Sequence, residues 1–367
     1  VTNRPLTGPT FGSYTADEVG WLLTDLSGVA LEAAMTDRER EIQSGRAHYA
    51  ESLPVEYQPD ITYLNLYHTV LKETADRLAA AVGQVTELVL AERGTNIVLV
   101  SLARAGTPIG ILMRRWALSQ HKLDLPHYTM SIVRGRGIDA TALNYLSTHH
   151  NPARVVFVDG WTGKGAITQE LSKAIADHNH RNGTGFTPDL AVLADPGHCV
   201  RTFGTRDDFL IASACLNSTV SGLVSRTVLN SRYINPSQFH GAKYYHELRS
   251  SDLSGQFLDT ISSRFNTVAP RISHDKNQNR ETTWSGLATV RRIQQQYGIT
   301  SSNFVKPGIG ETTRVLLRRL PWRIVVRDPD APEHRHIRLL AQARNVPVAV
   351  DPELAYSCVG LIKEIRA

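Results

Sequence analysis

Cysteine is scarce in this chain of 367 residues: there are three, Cys199, Cys215 and Cys358. Three thiols cannot all pair, and none stands in a CxxC spacing, so a disulfide-framework fold is excluded and a reducing compartment fits. The histidines do no better as metal ligands. His149 with His150, His178 with His180, and His334 with His336 lack the cysteine or acidic company of a zinc site. No apolar run approaches the roughly 20 residues that span a bilayer. The opening stretch VTNRPLTGPT has no apolar h-region, so the reading expects a cytoplasmic protein without a secretory signal or membrane contact. No repeat of fixed period occurs, and no GxSxG elbow.

Acid and base are nearly balanced, with 40 Lys and Arg against 35 Asp and Glu, but the excess is local. Nine basic residues (Lys306, Arg314, Arg318, Arg319, Arg323, Arg327, Arg335, Arg338, Arg344) and four acids (Glu311, Asp328, Asp330, Glu333) fall between 305 and 344. That stretch carries the whole net charge of +5. A basic surface on an otherwise neutral protein suits a polyanion.

The most informative run is RVVFVDGWTGKGAIT, Arg154 to Thr168. Four apolar residues (Val155 to Val158) end at Asp159. A turn of Gly160, Thr162, Gly163, Lys164 and Gly165 then opens a helix. A buried strand, a carboxylate at its end and a small-residue turn make a place for a phosphorylated sugar. Backbone N–H groups would take the phosphate, and the carboxylate would accept hydrogen bonds from ribose hydroxyls. The same run also reads as an ordinary βα turn. It is not a Walker loop, because Val158 stands five residues before Gly163, and the glycine spacing is not a dinucleotide fingerprint. A second run, NIVLVSLARAGTPIGILMRRW (Asn96 to Trp116), repeats the plan with Arg104, Gly106, Thr107 and Pro108 in its turn. Arg134 and Arg136, between glycines, read as a mobile cationic loop or a solvated turn.

Along the chain, residues 1 to about 90 read mainly as helices. TADEVGWLLTDL begins with a Thr15/Glu18 capping box, and Leu66, Val70, Leu71, Leu78 and Val82 form one helical stripe. His48 to Pro59 is a polar, aromatic loop that joins helices or lines a site. From about 91 to 225, short apolar runs (NIVLVSL, HYTMSIV, RVVFVDG, DLAVLADPG, DDFLIASA) alternate with helical stretches at 108–119, 139–149 and 166–178. That alternation predicts a parallel sheet with crossover helices, and ligands at the carboxyl ends of its strands. Arg104, Asp159 and Asp195 fall at those ends. Residues 226–298 are polar and weakly periodic, with Arg271 to Gly286 as exposed loop or linker. A small α/β domain is expected over 300–367: GETTRVLLRRL as helix, PWRIVVRDP as strand, EHRHIRLLAQARN as helix, VPVAVD as strand and ELAYSCVGLIKEI as helix.

SLARAGTPIG and FVDGWTGKGAIT resemble the diphosphate and phosphoribosyl loops of type I phosphoribosyltransferases. With HYAESLP, SIVRGRGID, DDFLIASACLNSTVSGL and FHGAKYYHEL, the chain more closely resembles phosphoribosyltransferase-like proteins encoded near bacterial tellurium-resistance (Ter) stress operons, also labelled StiP cysteine proteases. The stretch from KPGIGETTRVLLRR to LLAQARNVPVAV resembles a Pelota-type RNA-binding domain, kin to ribosomal kink-turn binders. The resemblance implies an α/β type I phosphoribosyltransferase-like parallel sheet over 91–298, a helical hood over 1–90 and a Pelota-type domain over 300–367. It implies Mg²⁺-dependent transfer of a phosphoribosyl group from phosphoribosyl diphosphate to a base-like acceptor, in making a nucleoside-like stress metabolite.

In that scheme Arg104, Ala105, Gly106 and Thr107 meet the diphosphate, and Asp159 holds ribose and metal. Gly160, Thr162, Gly163, Lys164 and Gly165 hold the 5′-phosphate. Arg134 and Arg136 close over the site, and Asp195 sits by the acceptor. Lys306, Gly308, Gly310, Glu311, Thr312 and Arg314 contact RNA. The chain departs from the transferase pattern where Gly160 replaces a second acid and where Thr-Gly-Lys-Gly stands closer to the acid than Thr-Gly-Gly-Thr does. Two other readings stay open. One is a thiol hydrolase using Cys215 with His198 or His240. The other is a non-catalytic nucleotide sensor coupled to RNA. The acceptor and the oligomeric state are not legible.

Overall fold

A computed structural model describes residues 3–33, 48, 50–56, 59–272 and 279–364. Its centre is a six-stranded parallel sheet. The strands are β1 (Gly20–Leu22), β2 (Val98–Leu102), β3 (His127–Met130), β4 (Val155–Trp161), β5 (Leu190–Ala194) and β6 (Thr202–Thr205). Their spatial order is β1-β3-β2-β4-β5-β6. The chain winds one way from β2 to β3 and the other way from β4 onward. The switch point therefore lies between β2 and β4, and the turns after these two strands flank it.

The strands are apolar because both faces are covered. Alternate residues serve opposite cores: Leu99, Val156, Val158, Ala191 and Leu193 point to one, Val98, Val100, Val155, Phe157 and Val192 to the other. Helices α1 (Ile61–Arg93) and α2 (Thr107–His121) build the first core; α3 (Ala140–His149) and α4 (Ala166–Asn182) build the second. In α1 the expected stripe is present, with Val70, Leu71, Leu78 and Val82 buried. Asp60 caps this helix through Tyr63 N–H at 3.1 Å.

Three sequence expectations are corrected. Residues 15–26 do not form a helix. Glu18 turns away to pair with Arg115, and Trp21 and Leu22, both fully buried, enter opposite cores as a strand must. DDFLIASA is not a strand. The sheet closes on Thr202–Thr205, and Ala212–Cys215 is a short 3₁₀ turn under the C-terminal domain. ELAYSCVGLIKEI is not a helix either, because Cys358–Ile362 is a strand buried on both faces.

The C-terminal sheet contains β7 (Val305–Pro307), β8 (Pro321–Val326), β9 (Val348–Val350) and β10 (Cys358–Ile362), in the order β7-β10-β8-β9. β10 is antiparallel to both neighbours, and β8 and β9 are parallel. Between α5 (Ser254–Ser262) and this sheet runs α6 (Ser285–Gln296), which packs Val290 and Ile293 on one face with Val305, Val325, Val359 and Leu361. Helices α7 (Ile309–Arg318) and α8 (Arg335–Ala343) cover the other face. A Cβ at Gly360 would stand 3.2 Å from Thr312 Cα, so the glycine lets α7 lie close on the strand. Ile309, Leu316, Ile324 and Ile337 continue the apolar core that begins in the parallel sheet. Part of the expected linker, 273–278, lies outside the described residues.

Candidate functional site

The turns after β2 and β4 stand at the switch point as the sequence predicts, but they do not share one cleft. Lys164 lines a cavity of about 190 Å³ with Asp159, Gly163, Gly165, Lys306 and Glu311. Arg104 and Ala105 line a separate space of about 30 Å³ with Asn217 and Arg314. Trp161 forms a wall of both. The Arg104 guanidinium is already engaged. It donates to Asn217 Oδ1 at 2.9 Å and Val224 O at 3.3 Å, and it pairs with Glu56 at 3.7 Å. Glu56, from the expected hood segment, also accepts from Ser218 N–H and Oγ–H. Tyr49, Tyr57 and Gln58 of that segment lie outside the described residues. Gly106 and Thr107 open α2 with backbone at close quarters: a Cβ at Gly106 would meet Val158 O at 2.5 Å.

Asp159 is desolvated, and burial pushes its carboxyl up to about 7 against the pull of Gly160 N–H and Arg314. Gly160 N–H donates to it at 2.7 Å. The cavity gives Asp159 one further acid, Glu311, which is already paired with Arg314, and no group of three or more His, Cys, Asp or Glu among the described residues could hold a metal. The residues around Asp159 do not fit the magnesium site that the transferase resemblance implies. Asp195 is fully buried at the end of β5. Its carboxylate accepts from Thr162 Oγ1, from Cys199 N–H at 2.9 Å and from Val200 N–H at 3.2 Å, and it pairs with Arg206 at 3.1 Å. It ties the β4 turn to the loop after β5 and has no side open to an acceptor base.

The expected mobile cationic loop is a short antiparallel hairpin, Ile132–Val133 with Gly137–Ile138. Gly135 and Gly137 N–H donate to Glu170 of α4 at 2.8 and 2.9 Å, and Arg136 pairs with Glu51 at 3.2 Å. That clamp fastens the hairpin.

The C-terminal domain lies directly over the strand ends. Tyr356 Oη donates to Gly163 O at 2.9 Å, Trp284 N–H to His198 O at 3.1 Å and Gly286 N–H to Gly197 O at 3.2 Å. Lys164 Nζ donates to Ser302 O. Asp208, from the loop after β6, accepts from Ile309 N–H at 2.9 Å and Ser357 N–H at 2.8 Å. The turn expected to meet RNA faces inward. Gly308 has φ +91°, which suits glycine, and its N–H donates to Cys358 O. Gly310 packs near Trp161, and Thr312 is fully buried. Arg314 lies over the Trp161 ring at 4.8 Å and pairs with Glu311 at 3.0 Å. Burial would raise the Glu311 carboxyl, but Arg314 and Lys306 hold it below its ordinary value. Lys164 is pushed down to about 7, by burial first and then by Lys306 and Arg134.

The three thiols differ in setting. Cys215 sits in the 3₁₀ turn within the main core, and Cys358 lies inside β10 beside Asp208. Cys199 stands at the carboxyl end of the sheet, its Sγ 3.3 Å from Gly197 O. Burial, then Asp195, pushes this thiol up to about 12. Of the two histidines considered for Cys215, His240 binds Ser131 Oγ at 2.8 Å, while His198 adjoins Cys199 in the field of Arg206 and Asp195. Asp208, Tyr356 and Trp284 escaped the sequence reading, because nothing local marks a residue as half of an interdomain contact. The acid pair Asp207-Asp208 ahead of an apolar run was the one available signal.

Comparison with known proteins decides between the readings. Residues 12–262 match the family model "Tellurite-like stress resistance cysteine protease StiP". The chain is 35% identical to "Cysteine protease StiP" of Acinetobacter baylyi, covering 96% of this chain and 94% of that protein. The chain belongs to the StiP family. Residues 284–364 match the PELOTA RNA binding domain, so the C-terminal sheet with its three helices is Pelota-like. Among solved structures, an aminotransferase from Anaerococcus prevotii aligns at 9% identity over 77% of this chain and 70% of that one. Its TM-score of 0.22 carries no argument. Family membership overturns the expected phosphoribosyl transfer. Phosphoribosyl diphosphate and a base-like acceptor are not this family's substrates by name, and Arg104 and Lys164 line separate cavities. Of the membrane expectation, the structure bears on one point: no helix among the described residues is long and apolar enough to cross a bilayer.

Proposed function

We propose that this StiP-family chain is a thiol hydrolase acting on peptide bonds, with Cys199 as nucleophile and His198 as its base, joined to a domain that binds structured RNA. The observation that carries the nucleophile is position. Cys199 is the one thiol on the loop at the carboxyl end of the parallel sheet, where doubly wound folds place ligands, and it adjoins the Thr162–Gly165 turn. Cys215 and Cys358 belong to the main core and Cys199 to the second, so burial does not separate the three thiols; what sets Cys199 apart is its place beside the Thr162–Gly165 turn. The His198 imidazole is held below its ordinary pKa by burial and by Arg206, so it is neutral and able to accept a proton. In the reaction the Cys199 thiol gives its proton to His198 and the sulfur adds to the peptide carbonyl. The imidazolium then protonates the leaving amine, and water hydrolyses the thioester.

With the domains closed, Cys199 is only 2% exposed and its thiol is protonated. The active arrangement therefore requires Trp284 and Tyr356 to move off it. The test is casein cleavage by C199S, C215S and C358S, each checked for an unchanged melting point. C199S should lose activity by roughly a thousandfold or more, as removal of a nucleophile does, while folded C215S and C358S keep it. Cleavage retained by C199S removes the assignment.

A further inference from the structure

The seam between the parallel sheet and the Pelota-like domain collects cations. Lys164 and Lys306 line one cavity. Arg104 and Arg314 line the neighbouring one. Arg134 is close enough to Lys164, and Arg314 to Arg104, to disfavour the charged forms there. The acids at these two cavities are Glu311, Glu56 and Asp159, with Asp207 and Asp208 further along the seam, and burial leaves Asp159 only partly ionised at neutral pH. Closing the domains therefore crowds like charges in a poorly hydrated space. A chain of phosphates would relieve that crowding, and one of the two domains making the seam is of an RNA-binding family.

The same seam covers the thiol. A Cβ placed on Gly165 would meet Trp284 Cζ3 at 2.3 Å and Cys199 Sγ at 2.9 Å; one on Gly197 would meet Cys199 Sγ at 3.0 Å and Tyr356 Oη at 3.2 Å. Trp284 and Tyr356 thus pack around Cys199 together with the two glycines. The polar stitches across the seam run mostly to backbone, among them Tyr356 to Gly163, Trp284 to His198, Gly286 to Gly197, Lys164 to Ser302, Arg314 to Ala214, Tyr63 to Leu317, and Ile309 and Ser357 to Asp208, beside the apolar packing of Ile309 and Leu316.

We propose that the seam is an RNA entry surface: a structured RNA occupies the groove between the β4 turn and the Val305–Gly310 turn, replaces the interdomain contacts, and uncovers Cys199. Lys306 and Arg314 then pair with phosphates in place of Glu311 and the Trp161 ring. Domain closure and RNA binding exclude one another, so RNA acts as the opening ligand of a sealed thiol. The inference rests on the RNA-binding reading of the C-terminal domain and makes no use of proteolysis.

The experiment is iodoacetamide alkylation of Cys199 in the full chain, quantified by peptide mass, with and without a bulged hairpin RNA. Binding is read separately by fluorescence anisotropy. RNA should raise the alkylation rate about tenfold or more, in step with the population shift it imposes. Lys306→Glu, or Lys306→Met if the first variant is unstable, should lose both binding and the rate increase. Trp284→Ala should raise alkylation without RNA. If the hairpin binds and Cys199 stays protected, the inference fails while the RNA-binding reading stands; if the hairpin does not bind, both fail. Rapid alkylation of Cys199 without RNA in the unaltered chain overturns the seal. Heparin reproducing both effects would overturn the commitment to RNA.

Discussion

Asp208 takes two backbone donors of the C-terminal domain across the seam, and its removal can be costed. One oxygen accepts from Ile309 N–H, the first residue of α7, at 2.9 Å; the other accepts from Ser357 N–H at 2.8 Å. Asp208→Ala leaves both donors without that acceptor in a buried place. An orphaned buried donor costs about 1–3 kcal/mol, so the two together cost about 2–6 kcal/mol. A refund is due, because burial raises the Asp208 pKa even with two N–H donors and the Arg327 charge against it. The ionised form is thus partly uncompensated, and removing it returns some of that desolvation. The net loss should be about 2–4 kcal/mol. Asp208→Asn keeps one acceptor oxygen and should lose about half as much. The assay is urea unfolding followed by tryptophan fluorescence, with Trp161 and Trp284 as reporters at the seam. An Asp208→Ala stability within about 0.5 kcal/mol of the parent, at most half the roughly 1 kcal/mol lowest cost of a single orphan, would refute the reasoning.

Two further predictions concern the same strand ends and the helices behind them. Asp159 is raised to about 7 and Lys164 lowered to about 7. Between about pH 4 and 7 the native state keeps an Asp159 proton that the unfolded chain has released, so stability falls as pH rises through that window. Between about pH 7 and 10 the unfolded chain holds the Lys164 proton more tightly, so stability rises with pH there. These two contributions meet in a minimum near neutrality. Urea midpoints at acid, neutral and alkaline pH should show the acid limb flattened in Asp159→Asn and the alkaline limb flattened in Lys164→Met; a limb unchanged in its variant rejects that assignment. In α1, Gly83→Ala should destabilise although alanine favours helix by about 1 kcal/mol. The new Cβ would lie 2.5 Å from Trp116 Cη2, and that ring is held by Glu87 and Phe265. Overpacking of this kind costs about 1–3 kcal/mol. A melting point above the parent's would show that the ring can yield.

The parallel sheet was legible because its signals are local. Runs such as VLVSL and VVFV are short and apolar, and each is followed by a turn with small residues that opens a helix. What failed also failed for a physical reason. CVGLI is buried on both faces, so it has no alternation to separate strand from helix, and Gly360 was the one hint of a helix lying close. The Thr15/Glu18 pair imitates a capping box until Arg115, about a hundred residues away, takes the glutamate. DDFLIASA has strand composition, yet Asp208 is drawn to the start of α7 and the chain turns there.

The candidate site shows the same limit more sharply. Turns after β2 and β4 at a switch point suit any ligand of a doubly wound sheet, so their glycines and cations carry a place without carrying a reaction. Arg104 and Lys164 looked like two ends of one grip. What separates them is Trp161 with Arg314 stacked on it, a contact between residues 153 positions apart that no window of sequence contains. The chemistry of these strand ends is set by what covers them. In this chain that cover is a basic domain whose Arg314 lies on Trp161 across the seam and whose Lys306 lines the cavity beside it. A surface that buries its cations near each other is held shut by apolar packing and hydrogen bonds, and an anion bound there would relieve the crowding. The proposed exchange of these contacts for RNA, rather than the turn motifs, is therefore the reading of the strand ends that the alkylation experiment tests.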